Sequence, residues 1–459
     1  MAQTVLSMVV EVAPLSAGRL RAHISALKAD EEASQPKYDR IARAVPTLHF
    51  MSLTVFADDQ YDPVFVLEAN FDGPPGPFWL LLEAAIGPRL REMLRCAKPP
   101  PGAAALFAAV IAPESSVPVA PLLEACTVWP AVFHQGNRGL DRVRIEREGA
   151  LLVAARGMAD NPALRVQTTP AIHAALRAAL IPDFSWLQER PAPRIGALEN
   201  FEDWVRLIAF LCVALALLAL PALALLAVLR AALAPDLRVS SWLLAGVALL
   251  GAATSAGAIL AWLRGLERAD PSQDAPPVDQ AEELAMARAE DHTVQNHMIS
   301  LVHVKPGILR AVLMRAGLWG LGYILRVTAR NGYLASMRTI HFAHWALVSN
   351  GGRLMFHSNY DSSWESYLDD FIEKANVGLT LAWTNAVGFP ATRFLILDGA
   401  SQGRKFKAWA RHSMTESSFW FSAYKALTVN QVERQARLAD GLRRPSLTQQ
   451  EADTWVLDL

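Results

Sequence analysis

The sequence predicts an α+β membrane protein: two copies of one mixed unit, with a pair of transmembrane helices between them. Three observations predict it. Short matches recur at a nearly constant separation, each copy shows the same alternation of strand and helix patterns, and two long uncharged segments lie between the copies. Val12 matches Val304 and Pro14 matches Pro306, each 292 residues apart. Thr47-Leu48-His49-Phe50 matches Thr339-Ile340-His341-Phe342 at the same offset, and Asn70-Phe71-Asp72 matches Asn359-Tyr360-Asp361 at 289. A turn three residues shorter in the second copy accounts for the change.

In the second copy, Met298 to Val304 reads as a strand and Pro306 to Arg330 as a helix with proline in its first turn. Thr339–Val348 and Arg353–Tyr360 form a hairpin, Ser363–Asn376 a helix and Thr392–Leu397 a strand. This β-α-β-β-α-β sequence is the ferredoxin-like order. A helix (Gly403–His412), a strand (Phe419–Tyr424) and a last helix (Thr428–Leu442) follow. The first copy mirrors it: strand Leu6–Val12, helix from Pro14, hairpin Thr47–Asn70, helix Pro77–Cys96, strand Val128–His134 and helix Leu140–Ala155. The boundaries are 1–195 for the first repeat, 204–265 for the membrane hairpin, 266–290 for a linker, 291–445 for the second repeat and 446–459 for a loosely ordered tail. Asp270–Asp279, rich in Pro, Asp, Ser and Gln, is expected to be flexible.

Leu207–Leu229 and Ser241–Leu263 each run 23 residues without a charge, enough to cross a bilayer core that needs about 20. Trp204, Trp242 and Trp262 stand at segment ends, where aromatic belts form. Two spans return the chain to its starting side. The outer flanks carry Arg194, Arg206, Arg264 and Arg268, against Arg230 and Arg238 in the connecting loop, so an inner or plasma membrane with both soluble parts in the cytoplasm is expected. The apolar helix 306–330, with Arg310, Arg315, Arg326 and Arg330, fits an interfacial helix as well as a core helix whose arginines snorkel.

A net charge of −1 gives no reason to expect nucleic acid as a partner. Cys96, Cys126 and Cys212 form no CxxC pair and no disulfide framework. GxGxxG, GxxxxGK[ST] and HExxH are all absent.

The hairpin locates the candidate site. Asn350-Gly351 is a strong type I′ turn signal. With these two at the turn, Arg353 faces Val348, His357 faces His344, Phe342 faces Asn359 and Ile340 faces Asp361. Alternation puts Ala343, Trp345, Leu347, Leu354 and Phe356 under the helices and Phe342, His344, His357, Asn359 and Asp361 on the open face. The first copy holds Ser52, Glu68, Asn70 and Asp72 at the matching places. Residues shared by both copies, Asn and Asp, fit a structural role such as capping; the histidines belong to the second copy alone. His49 and His341 recur together on the other face as packing residues, while His297 and His303 stand alone. An open sheet face must meet another sheet, a partner or a ligand, so a homo-oligomer through these faces is one expectation.

Tandem units of this order resemble the dimeric α/β-barrel superfamily, including the dye-decolorising peroxidases. The resemblance covers most of the chain outside the membrane pair; in place of that family's GxxDG stand Asp72-Gly73 and Asp361-Ser362. It implies two halves packed sheet to sheet and haem on a histidine of the second half. The expectations are therefore three. The first is a membrane-anchored, peroxidase-like haem oxidoreductase acting on a lipophilic substrate, with His344 or His357 as axial ligand and Asp361, Arg393 and Asn359 assisting catalysis. The second is a non-haem iron or other metal site on His344, His357 and Asp361. The third is a non-enzymatic, membrane-tethered scaffold that contacts lipid.

Overall fold

The computed structural model describes residues 3–34, 39–190, 193–233, 238–270, 280–290, 293–329, 332–334 and 337–459. The Asp270–Asp279 linker lies outside them except for its first residue.

Eleven strands alternate with helices. They are β1 (Gln3–Glu11), β2 (Leu48–Phe56), β3 (Val64–Asp72), β4 (Thr127–Val128), β5 (Val132–Gln135), β6 (Gln295–His303), β7 (Ile340–Val348), β8 (Arg353–Asp361), β9 (Thr392–Arg393), β10 (Leu397–Asp398) and β11 (Phe419–Ser422). They build two larger antiparallel sheets and a two-stranded ribbon of β9 and β10. The first sheet has the order β11-β2-β3-β1-β4 and the second β5-β7-β8-β6. At the open edge of β6, Met414 makes an isolated bridge to Ser300, where β4 pairs with β1 in the first sheet. The expected strand Thr392–Leu397 is thus a separate ribbon, because residues 414–415 take the place beside β6.

The expected strand Val128–His134 divides. Its start pairs with β1, and after Trp129-Pro130, where proline cannot donate a ladder hydrogen bond, the chain crosses as β5 to pair with β7 of the other sheet. Conversely, β11 leaves the second unit and pairs with β2, Phe421 opposite Met51. Each sheet therefore has one edge strand from the other half of the chain. The helices that follow, Arg142–Ala159 and Val429–Arg443, pack together at Gly149, where an added Cβ would stand 3.5 Å from the Gln435 amide.

Each sheet buries one face under its own helices. Leu6, Met51, Phe65 and Phe71 meet Leu20, Trp79 and Leu90, with Cys96, Cys126, Phe419 and Phe421 in the same cluster. Ala343, Trp345, Leu354 and Phe356, the predicted helix-side set, meet Met314, Leu318, Trp383 and Trp409. The other two faces cover each other: Phe56, Val64 and Val66 pack against Ile299, Ala346, Val348 and Met355. These faces are consequently not free for a second copy of the chain.

Among the described residues, three helices are long and apolar enough to cross a membrane: Ala197–Leu233, Ser241–Arg268 and Ile308–Thr328. The first two are the expected hairpin, closely packed where Gly251 meets Ala222; a Cβ at Gly251 would lie 2.2 Å from the alanine methyl group. Their apolar side chains, Leu217, Leu225, Leu249 and Leu250 among them, are exposed, as is Cys212. The third helix cannot span, because β6 before it and β7 after it both pair with β8 in one sheet. It lies along that sheet with Met314 and Leu318 in the core and Ile308, Val312 and Trp319 exposed. Salt bridges tie both of its ends to the feet of the spans: Arg326 to Asp203 at 2.7 Å, and Arg310 to Asp270 at 3.4 Å. The core-helix reading thus describes one of its faces, and the other is apolar and exposed. The C-terminal tail is ordered rather than loose: Thr448 caps the helix Gln449–Trp455, and Trp455 packs with Leu176 and Leu438.

Candidate metal centre

The β7–β8 turn fixes the register of the site. Ser349, Asn350 and Gly351 all have positive φ, and Gly352 N donates to Ser349 O at 3.0 Å. Gly351, at φ +83°, takes the left-handed conformation that glycine adopts without strain. The ladder runs from Val348 opposite Arg353 to His344 opposite His357 and Phe342 opposite Asn359, as the turn predicts.

Beyond Phe342 a bulge intervenes, and Ile340 pairs with Tyr360 rather than Asp361. An equivalent bulge lies between Leu48 and Phe50. One extra residue turns a side chain to the opposite face, so His49 and His341, expected under the helices, enter the layer between the sheets. His341 Nε2 lies 2.8 Å from Asp361 Oδ1, and His49 Nε2 3.0 Å from Asp72 Oδ2. The second carboxylate oxygen of Asp361 accepts from Val429 N at 2.7 Å, and that of Asp72 accepts from Arg142 N at 2.8 Å, with His49 on the same oxygen. Each aspartate therefore holds the start of a helix that follows an exchanged strand, where unpaired N–H groups favour a negative charge.

Asp361 thus belongs to an anchor and not to the His344–His357 pair. Asp361→Ala should destabilise the chain by about 3–5 kcal/mol, the cost typical of breaking a buried ionic contact, and leave metal content per folded chain unchanged. Thermal melting with metal analysis checks both; lost metal in a folded variant would return Asp361 to the ligand set. Arg393 also moves out of the predicted site. It is exposed on β9 and bonds Asp398 at 3.0 Å, because the strand meant to carry it is not part of the second sheet.

His344 and His357 are adjacent, ring centroids 4.9 Å apart, and both are buried. Across the layer lies Glu68 of β3, also fully buried. Ligand atoms of Glu68, His344 and His357 all fall within 4.8 Å of one another. Around them, Ser7 Oγ stands 3.2 Å from His344 Nε2, Ser52 Oγ donates to Glu68 Oε2 at 3.3 Å, and Asn70 donates to Glu68 Oε1. His297 of β6 adds a third imidazole, 6.0 Å from His357. Asn359 stands beside them: its Oδ1 takes His297 Nδ1 at 3.0 Å and Trp420 Nε1 at 2.9 Å.

The electrostatics follow from burial. Desolvation pushes the Glu68 carboxyl up to about 8, against smaller opposing effects of Asn70, Ser52 and Asn359. It pushes His297 down to about 4 and His344 to about 3, and His357 well below its usual value, with the neighbouring histidines adding to the last two. At neutral pH these rings are neutral, the form that binds metals. Both nitrogens of His357, Nδ1 of His344 and Nε2 of His297 are buried without a partner. Orphaned buried polar atoms are costly and call for a bound water or ion.

Two groups can be tested against this donor set. Two or three imidazoles and a carboxylate suit zinc, iron(II) or another first-row metal, and the ligand atoms of Glu68, His344 and His357 lie within 4.8 Å of one another. Haem does not fit. His344 Nε2 is 3.2 Å from Ser7 on the facing sheet, and His344 and His357 are each only 1% exposed, which leaves no room for a macrocycle against either ring.

Sequence reasoning did not select Glu68 and left His297 as a lone histidine. The signal for Glu68 was available, since it stands 289 residues before His357, the offset at which Asn70 and Asp72 match Asn359 and Asp361. Two matching open faces that meet bring such positions together. No family model matches the chain, and comparison with curated proteins and with solved structures found no match.

Proposed function

We propose that this chain is a membrane-anchored metalloprotein in which two copies of a ferredoxin-like unit, packed sheet to sheet, share one divalent transition-metal ion on Glu68, His344 and His357. The observation that carries the reading is the meeting of these three buried groups across the layer, with partnerless imidazole nitrogens beside them. Duplication is supported by the paired bulges, the paired His–Asp anchors and the reciprocal strands, at offsets between 287 and 292 residues: Val132 to Phe419, Asp72 to Asp361, His49 to His341. His297, whose Nδ1 is committed to Asn359, has its Nε2 free to complete a fourth position, the arrangement in which an outer hydrogen bond orients a metal-binding imidazole. Each unit contributes ligands, so the ion would clamp the two sheets. The arginine balance around the spans favours the cytoplasmic face.

A second reading, a non-haem oxidoreductase acting on a lipophilic substrate, is favoured by an apolar groove of about 360 Å³ beside the membrane-lying helix. Leu321, Ile324, Phe371 and Leu379 line it with Trp345, which lies on the helix side of β7, the face opposite the one that carries His344. Metal analysis of the detergent-purified chain tests the main reading: one first-row metal per chain is expected, lost in His344→Ala, His357→Ala and Glu68→Ala. A folded wild-type chain that stays metal-free after incubation with zinc, iron(II) and manganese would overturn it. The second reading requires an open coordination position, which the electron paramagnetic resonance signal of a nitric oxide adduct on the iron-loaded chain would reveal.

A further inference from the structure

A cavity of about 490 Å³ lies away from the metal centre, between the exchanged helices and the foot of the first transmembrane helix. Seven arginines line it against three carboxylates, Asp141, Glu189 and Glu199. Five of the arginines are matched by acids: Arg138 and Arg326 bond Glu199 and Asp203, Arg144 and Arg443 bond Glu148 and Asp440, and Arg194 bonds Glu433. The other two, Arg147 and Arg190, pair with no carboxylate among the described residues.

One wall is preorganised. The Arg147 and Arg443 guanidiniums stand over the Trp186 ring at 4.7 and 4.8 Å from its centroid. Stacking on an indole fixes a guanidinium plane while its edge N–H groups remain available to an anion. The Nε of Arg147 and the Nε of Arg443 are buried and without a hydrogen-bond partner, and the Arg443 side chain is 5% exposed. A buried, unpartnered guanidinium N–H is costly unless an anion accepts from it. Trp186 and Arg190 close the side formed by the segment that leads into the first span, and Arg138 and Arg326, both bonded to Asp203, close the side at the membrane.

We propose that this cavity binds a phosphate-bearing anion, with Arg147, Arg190 and Arg443 as its donors and Trp186 as the platform that holds two of them. Two sources have that chemistry: the headgroup of an anionic phospholipid reaching up from the bilayer, or a soluble phosphomonoester. The cavity's volume suits either and is too polar in its lining for an acyl chain.

Native mass spectrometry of the full chain in detergent, titrated with phosphatidic acid in one series and glycerol phosphate in another, tests this. Binding of one molecule of at least one probe is expected. The double variant Arg147→Ala/Arg190→Ala should weaken it by roughly tenfold or more, as the loss of charge-assisted contacts predicts, with an unchanged melting temperature. Retention of phosphatidic acid alone identifies the lipid headgroup; retention of glycerol phosphate identifies a soluble ligand. Absence of binding by either probe, or equal binding by wild type and a folded double variant, would overturn the proposal. The metal content of the variant should equal that of the wild type, so failure here is distinguishable from failure of the metal reading.

Discussion

Metal affinity should rise about 50-fold from pH 6 to pH 8 and level off about one pH unit higher, and Glu68→Gln should abolish both the rise and most of the affinity. In the metal-free fold the Glu68 carboxyl, raised to about 8 by burial, is protonated at neutral pH. A metal must displace that proton, which costs a factor of ten in affinity for each pH unit below the carboxyl's own value. The histidines do not add to the slope, because His344 and His297, held near 3 and 4, and His357, held well down, are already neutral at pH 6. The slope therefore reports one proton and one residue. Competition titration with a chromophoric chelator at several pH values measures it. A flat profile between pH 6 and 8, with metal bound, would remove Glu68 from the ligand set.

The same carboxyl has a stability consequence of known sign. Its folded value lies above the ordinary 4.5, so between pH 4.5 and 8 the metal-free fold holds a proton that the unfolded chain releases. Stability then falls as pH rises through that window. The buried histidines act oppositely: lowered in the fold, they favour the unfolded chain as pH drops below 6.5. The metal-free protein is expected to be most stable near pH 6.5, and Glu68→Gln should extend that stability toward pH 8.

Phe421→Ala should loosen the first sheet, although Phe421 lies near the end of the chain. The side chain is fully buried in the cluster that includes Leu53, Trp79, Cys96 and Cys126, all from the first unit. Removing a buried Phe side chain typically costs about 3–5 kcal/mol, and here the strand that carries it closes the edge of β2. The thiols of Cys96 and Cys126 report the result. Both are buried in that cluster, so labelling by a thiol reagent should accelerate by two orders of magnitude or more in the variant, as roughly 3 kcal/mol of lost protection implies. Cys212, exposed on the first span, supplies the rapid reference. Slow, wild-type labelling of Cys96 and Cys126 in a folded variant would mean that β11 is dispensable to the first sheet.

Much of the architecture was legible because it depends on short-range rules. Uncharged runs long enough to span were visible as such. The Asn350-Gly351 turn placed His344 opposite His357, and alternation separated Trp345 and Phe356 from the histidines. What misled was also local in origin. The bulges at Leu48/Phe50 and Ile340/Phe342 reversed His49 and His341, and nothing in a two-residue periodicity announces an extra residue. Asp361 then joined His341 and a helix start 68 residues away instead of the histidine pair.

By itself, then, the sequence determined most of the long strands and helices, the two helices apolar enough to span, the β7–β8 register as far as Phe342 and the face on which His344 and His357 lie, since each follows from contacts between residues near one another in the chain. Only the tertiary structure decided that β5 and β11 change sheets, that helix Ile308–Thr328 lies along the second sheet instead of spanning, and that Glu68 comes to the histidines from nearly 300 residues away. Those outcomes depend on which apolar faces cover each other, a long-range choice made by total burial that no local pattern encodes.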